Sequence, residues 1–236
     1  MAVCLIIPAL NEETALRNVL ASLPAGLFDE VIVVDNGSTD GTAKVAAEAG
    51  ARVVTERRRG YGSACLAGIA ALSGAAEAIV FMDADGSDVP AEASRLLEPI
   101  FADQADLVIG SRVLGEAEPG ALSPHQRFGN QVAVGLVRLI YGRRYTDLGP
   151  FRAIRRSSLE RLGMRDRDFG WTVEMQVKAL RAHLRIVERP VSYRRRRGGR
   201  SKISGNLWGS FAAGVKILWT VARYAGMSGR AEPGRP

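Results

Sequence analysis

VIVVDNGSTDGT, at residues 31–42, holds the pattern that decides the fold. Four β-branched residues in a row read as a strand buried on both faces, the polar residues after them as a turn, and the Ala-rich stretch at 41–49 as a helix. The same rhythm runs outward in both directions. Apolar runs at residues 3–7, 52–55, 79–82 and 107–109 read as further strands. Between them, Leu16, Val19, Leu20 and Leu23 follow the i, i+3, i+4, i+7 spacing of a helix, and residues 62–72 are Ala-rich. Strand and helix in alternation predict an α/β fold whose mostly parallel sheet is flanked by helices. In such a sheet the ligand lies beyond the carboxyl ends of the strands, so the residues after each run form the candidate site.

With 236 residues, 47% hydrophobic and 24% charged, the chain is globular, which excludes disorder, collagen and coiled coil as overall descriptions. Cys4 and Cys65 are too few for a disulfide scaffold and lack zinc-site spacing, so an intracellular chain with reduced thiols is expected. The first apolar run has no basic leader and is broken by Pro8, which predicts no signal peptide. The net charge of +7 is unevenly distributed. Residues 1–119 hold 8 Lys and Arg against 18 Asp and Glu, whereas residues 120–236 hold 24 against 7. Nucleic acid, an anionic membrane, or a phosphorylated substrate held between carboxylate-bound metal and arginines would each fit that asymmetry.

The strand ends are strongly polar: Asn11 and Glu12 after the first, Asp35 to Asp40 after the second, Asp83, Asp85 and Ser87 after the fourth, and Ser111 and Arg112 after the fifth. Any one of these could be an ordinary turn or helix cap. Caps do not require two Asp one residue apart at a strand end. Such a pair repels unless a cation lies near, and hard oxygen ligands suit Mg²⁺ or Mn²⁺, which fills the rest of its shell with water and phosphate. Asp83 and Asp85 therefore read as a diphosphate-metal site.

PALNE at 8–12, VVDNGSTDGT at 33–42, DADGS at 83–87 and GSR at 110–112 resemble the inverting family 2 glycosyltransferases of the GT-A fold. DLGPFRAIR at 147–155, FGWTVEM at 169–175 and RRGGRSK at 196–202 are similar to the branch that makes polyprenyl-phosphate sugars, the dolichyl-phosphate mannose and glucose synthases. The resemblance implies a Rossmann-like GT-A domain over residues 1–205. It places Pro8, Ala9, Asn11, Glu12, Asp35, Asn36 and Ser38 around the nucleotide, with Gly60, Tyr61 and Gly62 over it and Asp83 and Ala84 toward the ribose or sugar. Asp85 would hold the metal. Ser87 stands where family members often carry Gln or another polar side chain, which leaves a second protein ligand open. Gly60 and Gly62 would allow the backbone to approach a ligand closely.

The implied acceptor is a lipid phosphate, and Arg112, Arg127, Arg196, Arg200 and Lys202 are the expected grip on it, because guanidinium binds phosphate oxygens at two points. Arg143, Arg144, Arg155, Arg156, Arg161 and Arg165 read as solvated surface. Glu174 occupies the part of the chain where many family 2 enzymes carry a catalytic base. A phosphate acceptor is already ionised and needs no strong base, so Glu174 could equally orient its neighbours. Residues 206–225 are apolar around Lys216 and Arg223, unsuited to span a bilayer but suited to lie in its headgroup layer or to pack on the domain. Residues 226–236 read as a flexible tail.

Together these readings predict a metal-dependent transferase that moves a hexose from a UDP- or GDP-sugar to a polyprenyl phosphate, peripheral on the cytoplasmic face of a membrane. A saccharide, small-molecule or protein hydroxyl acceptor is the enzymatic alternative, and nucleic-acid binding through the basic half the non-enzymatic one. No aromatic residues interleave with the basic run at 194–197, which speaks against a single-strand groove, so no nucleic-acid partner is expected.

Overall fold

The computed structural model describes residues 1–196 together with Thr220, Arg223 and Tyr224. Strands β1 (Val3–Ala9), β2 (Glu30–Asp35), β3 (Arg52–Thr55), β4 (Ala78–Phe81) and β5 (Leu107–Ser111) fall on the five runs expected from the sequence. Helices α1 (Glu13–Ala21), α2 (Thr42–Glu48) and α3 (Tyr61–Ala70) follow the first three strands. After β4 come a short 3-10 turn (Pro90–Glu92) and α4 (Ala93–Phe101), and after β5 the long α5 (Pro124–Tyr141). The described chain continues through β6 (Arg152–Arg155), α6 (Arg156–Leu162), α7 (Trp171–Arg181) and β7 (Ile186–Pro190).

The strands form one seven-stranded sheet in the order β3-β2-β1-β4-β6-β5-β7. All neighbouring pairs are parallel except those made by β6, which runs antiparallel to both β4 and β5. The mostly parallel α/β architecture expected from the sequence is therefore present, with one reversed strand that RAIR does not announce. Reversal has a functional effect. It brings the chain entering β6, with Asp147 and Gly149, to the same sheet end as the carboxyl ends of β4 and β5.

Side-chain alternation splits the interior into two layers. Ile6, Ile32, Ile79, Phe81, Ile109 and Ile154 face one layer, which Trp171, Val137 and Cys65 close from the helices. Leu5, Ile7, Val33, Val80, Met82 and Val108 face the other, against Leu16, Leu20, Leu96 and Ile100. Burial on both faces explains why the central strands are continuous apolar runs.

Candidate active site

Three loops at the carboxyl ends of β1, β2 and β3 are tied into one wall. The Asn11 backbone N–H donates to Ser38 Oγ at 2.9 Å, the Glu12 N–H to Thr42 Oγ1 at 2.9 Å, and the Thr39 N–H to Asn11 Oδ1 at 2.7 Å. Asn11 takes a φ of 52° to make this turn. The Ser38 N–H donates to Asp35 Oδ1 at 3.0 Å. Asn36 links onward, donating to the Arg58 carbonyl at 2.8 Å and accepting from the Gly60 N–H at 2.8 Å. The expected nucleotide residues from Pro8 to Gly62 are thus brought together. A Cβ at Gly60 would strike the Arg167 carbonyl and one at Gly62 the Asp166 carbonyl, so both glycines allow close packing against the chain at 166–168. Arg58 and Arg165, both exposed, line a cavity of about 210 Å³ with Arg167 and Arg223 beside that stretch.

Beyond β4 stand three carboxylates instead of two. Asp88 Oδ2 accepts from the Asp83 N–H at 3.2 Å, and Asp85 Oδ1 accepts from the Ser87 N–H at 2.8 Å. Burial, and then the negative charge of Asp85, push the Asp83 carboxyl up to about 7. Burial and the charges of Asp83 and Asp85 raise Asp88 as well. Asp83 Oδ1 and Asp88 Oδ1 are buried without a hydrogen-bond partner. Crowded, acid-raised and partly unsatisfied carboxylates are what a nearby cation relieves, and all-oxygen donors suit Mg²⁺ or Mn²⁺. Among the described residues no three His, Cys, Asp or Glu side chains are placed to hold an ion by themselves.

Arg196 reaches into this cluster from the far end of the described chain. Its guanidinium lies 2.8 Å from Asp85 Oδ2 through Nη2 and 2.8 Å from Glu12 Oε1 through Nη1. One side chain of the basic half therefore ties the first loop to the acidic pair.

Arg112 also belongs here, but it is held. Its Nε and Nη2 donate to the two oxygens of the buried Asp147, each at 2.7 Å, and the Arg112 N–H adds a third bond at 2.9 Å. This pairing outweighs burial and raises the guanidinium's pKa above its ordinary value. The same guanidinium lies 5.0 Å from the Tyr193 ring centroid. Asp147 takes the Nε side of the guanidinium, which leaves both Nη1 hydrogens and the second Nη2 hydrogen for a ligand oxygen. Arg152, fully buried in β6, donates to the Leu148, Gly149 and Thr172 carbonyls and so secures the loop that carries Asp147. Burial brings its pKa down to about 10.

Glu174 is fully buried on α7. Its carboxylate accepts from the Asp166 N–H at 2.7 Å, the Arg165 N–H at 3.1 Å and the Tyr224 hydroxyl at 2.6 Å, and pairs with Lys178 Nζ at 2.8 Å. Burial pushes its pKa up, but the hydrogen bonds from Lys178, Tyr224 and Asp166 prevail and hold it below the usual carboxylate range. Of the expected roles, this geometry matches the orienting one. Arg127 lies exposed in the first turn of α5, away from the carboxylate cluster's hydrogen bonds. Arg200, Lys202 and the tail at 226–236 lie outside the described residues, as does most of 206–225. Of the described residues in that segment, Thr220 and Tyr224 are buried against the domain.

The model of the family described as glycosyl transferase family 2 matches residues 4–163, which contain every strand-end loop of this site but the one carrying Arg196. The chain belongs to glycosyl transferase family 2. A glycosyltransferase of Mycobacterium tuberculosis, named as uncharacterized, is 43% identical over 93% of this chain and 97% of its own. The undecaprenyl-phosphate mannosyltransferase of Micrococcus luteus is 31% identical over 98% of this chain and 99% of its own. Among solved structures, glucosyl-3-phosphoglycerate synthase from Mycobacterium tuberculosis, in complex with Mn²⁺, UDP-glucose and phosphoglyceric acid, superimposes with a TM-score of 0.77 at 24% identity, over 95% of this chain and 80% of that one. The Rossmann-like GT-A fold is thereby shared.

Sequence reasoning missed several residues of this family 2 site. Asp88 sits five residues after Asp83 and reads as an ordinary turn residue. Asp147 and Arg152 lie inside the quoted DLGPFRAIR motif, where their position was the available signal. Tyr193 and Glu188, which accepts from the Thr146 hydroxyl at 2.7 Å, have no local pattern that marks them.

Proposed function

We propose that this family 2 glycosyltransferase moves a hexose, glucose or mannose, from a nucleoside diphosphate sugar to a polyprenyl phosphate, with inversion at the anomeric carbon. The observation that carries the acceptor class is Glu174. The side chain in the expected position of a base is buried, ionised and committed to four donors, so it is unsuited to accept a hydroxyl proton. An ionised phosphate oxygen needs no such base. The full-length likeness to an undecaprenyl-phosphate mannosyltransferase supports the same reading.

In this reading the wall from Pro8 to Gly62 holds the nucleotide, and Asp83 with Ala84 meets the ribose or sugar. The acceptor oxygen forms its bond to the anomeric carbon as the bond to the diphosphate oxygen breaks, and the diphosphate leaves with the electron pair. Mg²⁺ or Mn²⁺, held by Asp85 beside Asp83, supplies positive charge to that leaving group when bound. The remaining N–H groups of Arg112, with Arg127, Arg196, Arg200 and Lys202, grip the phosphates. Glu174 acts by fixing the 165–166 backbone. Among the described residues no helix is long and apolar enough to cross a membrane, and we place the enzyme peripherally on the cytoplasmic face, with residues 206–225 contributing to attachment.

The test is a transfer assay with Mg²⁺ or Mn²⁺, a panel of UDP- and GDP-sugars, and three acceptors: a short polyprenyl phosphate, phosphoglyceric acid and an uncharged alcohol. A lipid-linked sugar is the expected product. Turnover with phosphoglyceric acid or the alcohol but none with the polyprenyl phosphate would overturn the lipid acceptor.

A further inference from the structure

Helix α5 is apolar on two opposite sides. Its inner side is accounted for: Ala133 and Val137 are buried, and Asn130 donates to the Thr146 carbonyl and accepts from the Leu148 N–H, each at 3.0 Å. Phe128, Val132, Gly135 and Leu139 lie on the other side at i, i+4, i+7 and i+11, a spacing that forms a single stripe along a helix. Phe128 is 67% exposed and Leu139 82%. Six of the eight large apolar side chains exposed among the described residues lie on α5 or, as Val113 and Leu114 do, in the connection leading to it. A helix of a soluble domain turns its apolar stripe to the core and its charges outward. This one carries a second stripe that stays exposed among the described residues, and such patches mark interaction surfaces.

Charge says what the stripe fits. Arg127 and Arg138, both exposed and forming no ion pair with a described carboxylate, run along one margin of it, and Arg144 stands just past the helix end. No acidic residue occurs anywhere in α5. An apolar face bordered by cations is the signature of a helix lying in the headgroup layer of an anionic bilayer. A second copy fits less well, because symmetric pairing would bring two such arginine margins together in a chain of net charge +7. We infer that the outer face of α5 docks on an anionic lipid surface. The inner side of the same helix reaches the site by a short path, since Thr146, bonded by Asn130, also shares a 2.7 Å hydrogen bond with Ser111 next to Arg112. The inference deepens the acceptor reading, because it brings Arg112 toward a phosphate arriving from a membrane, yet it stands on exposure and charge alone.

Vesicle co-sedimentation of the full chain tests it without donor or acceptor. The wild type is expected to bind vesicles containing phosphatidylglycerol, to bind pure phosphatidylcholine much less, and to be released by salt. Phe128→Ser with Leu139→Ser should weaken partitioning by about tenfold or more, from the lost burial of two large side chains. Arg138→Gln and Arg144→Gln should each weaken it by roughly fivefold on anionic vesicles alone. Because all four side chains are exposed, the melting temperature should not move, and that control separates a surface effect from misfolding. Failure of the wild type to bind anionic vesicles would overturn the inference. So would undiminished binding by the Ser variants, with loss only on deleting residues 206–236, or a wild-type dimer that the Ser variants convert to monomer. Vesicle binding without any lipid-linked product would leave the docking face standing and remove the polyprenyl acceptor.

Discussion

Replacing Glu174 by Gln separates a carboxylate that holds the fold from one that removes a proton. Gln keeps the shape but removes the charge, and it turns one acceptor oxygen into a donor facing N–H, O–H and ammonium groups that also donate. Breaking a buried ion pair costs about 3–5 kcal/mol. Lys178 retains 14% side-chain exposure and can turn toward water, so the lower end, about 3 kcal/mol, applies here. In a chain of this length each kcal/mol moves the melting temperature by about 2–4 °C, giving a fall of roughly 6–12 °C. The pH dependence has a definite sign. Because the folded pKa of Glu174 lies below its unfolded value, its stabilisation is complete above the unfolded carboxylate pKa of about 4.3 and fades as pH falls through the folded one. The gap between wild type and variant should therefore be full at neutral pH and narrow in acid. Thermal melts followed by circular dichroism across pH, with kcat measured in parallel below the variant's melting range, read both effects. An unchanged melting temperature together with a hundredfold loss of kcat would refute the scaffold role and restore the catalytic base.

Asp85→Asn should abolish the Mn²⁺-dependent part of UDP or GDP binding in calorimetry; equal enhancement by Mn²⁺ in wild type and variant would remove Asp85 from the metal site. Gly62→Ala should destabilise by about 1–3 kcal/mol through overpacking against the Asp166 carbonyl. An unshifted urea midpoint would show that the 166–168 backbone does not lie against α3. Cys4 and Cys65 are both buried, and burial, followed by the charge of Glu30, pushes the Cys4 thiol up to about 12. Both thiols should resist a disulfide reagent at pH 8 until the protein is denatured, and rapid labelling of the native protein would contradict their burial.

The five strands expected from the sequence were legible because burial on both faces leaves no polar alternation to confuse their apolar runs. β6 was not, since Arg152 and Arg155 frame only Ala153 and Ile154, and nothing local says that the buried Arg152 donates to carbonyls from two other segments. At the site, Asp83 and Asp85 stood out because strand-end position and spacing are sequence properties. The Arg196 bridge to Glu12 and Asp85 spans more than a hundred residues and has no spacing to read. Gly60 and Gly62 were legible as special, but their packing against 166–168 was not, because that backbone lies about a hundred residues downstream. Glu174 drew notice as an acidic residue in a helix's first turn, and Lys178 stands at a readable i+4, but its other partners come from the preceding loop and from Tyr224.

The reversed strand also governs the order in which the molecule can be assembled. β4 and β5 lie in the first half of the chain but do not touch as neighbours in the sheet; the gap between them is filled by residues 152–155, paired with Ala78–Phe81 on one side and with Leu107, Val108 and Ile109 on the other. During synthesis, roughly 40 residues must follow β5 before that gap closes, and until then two hydrophobic edges face the solvent as templates for unwanted pairing. A fragment ending before β6 would carry those open edges permanently. The acidic and basic halves that look separable by charge are, for folding, one cooperative unit.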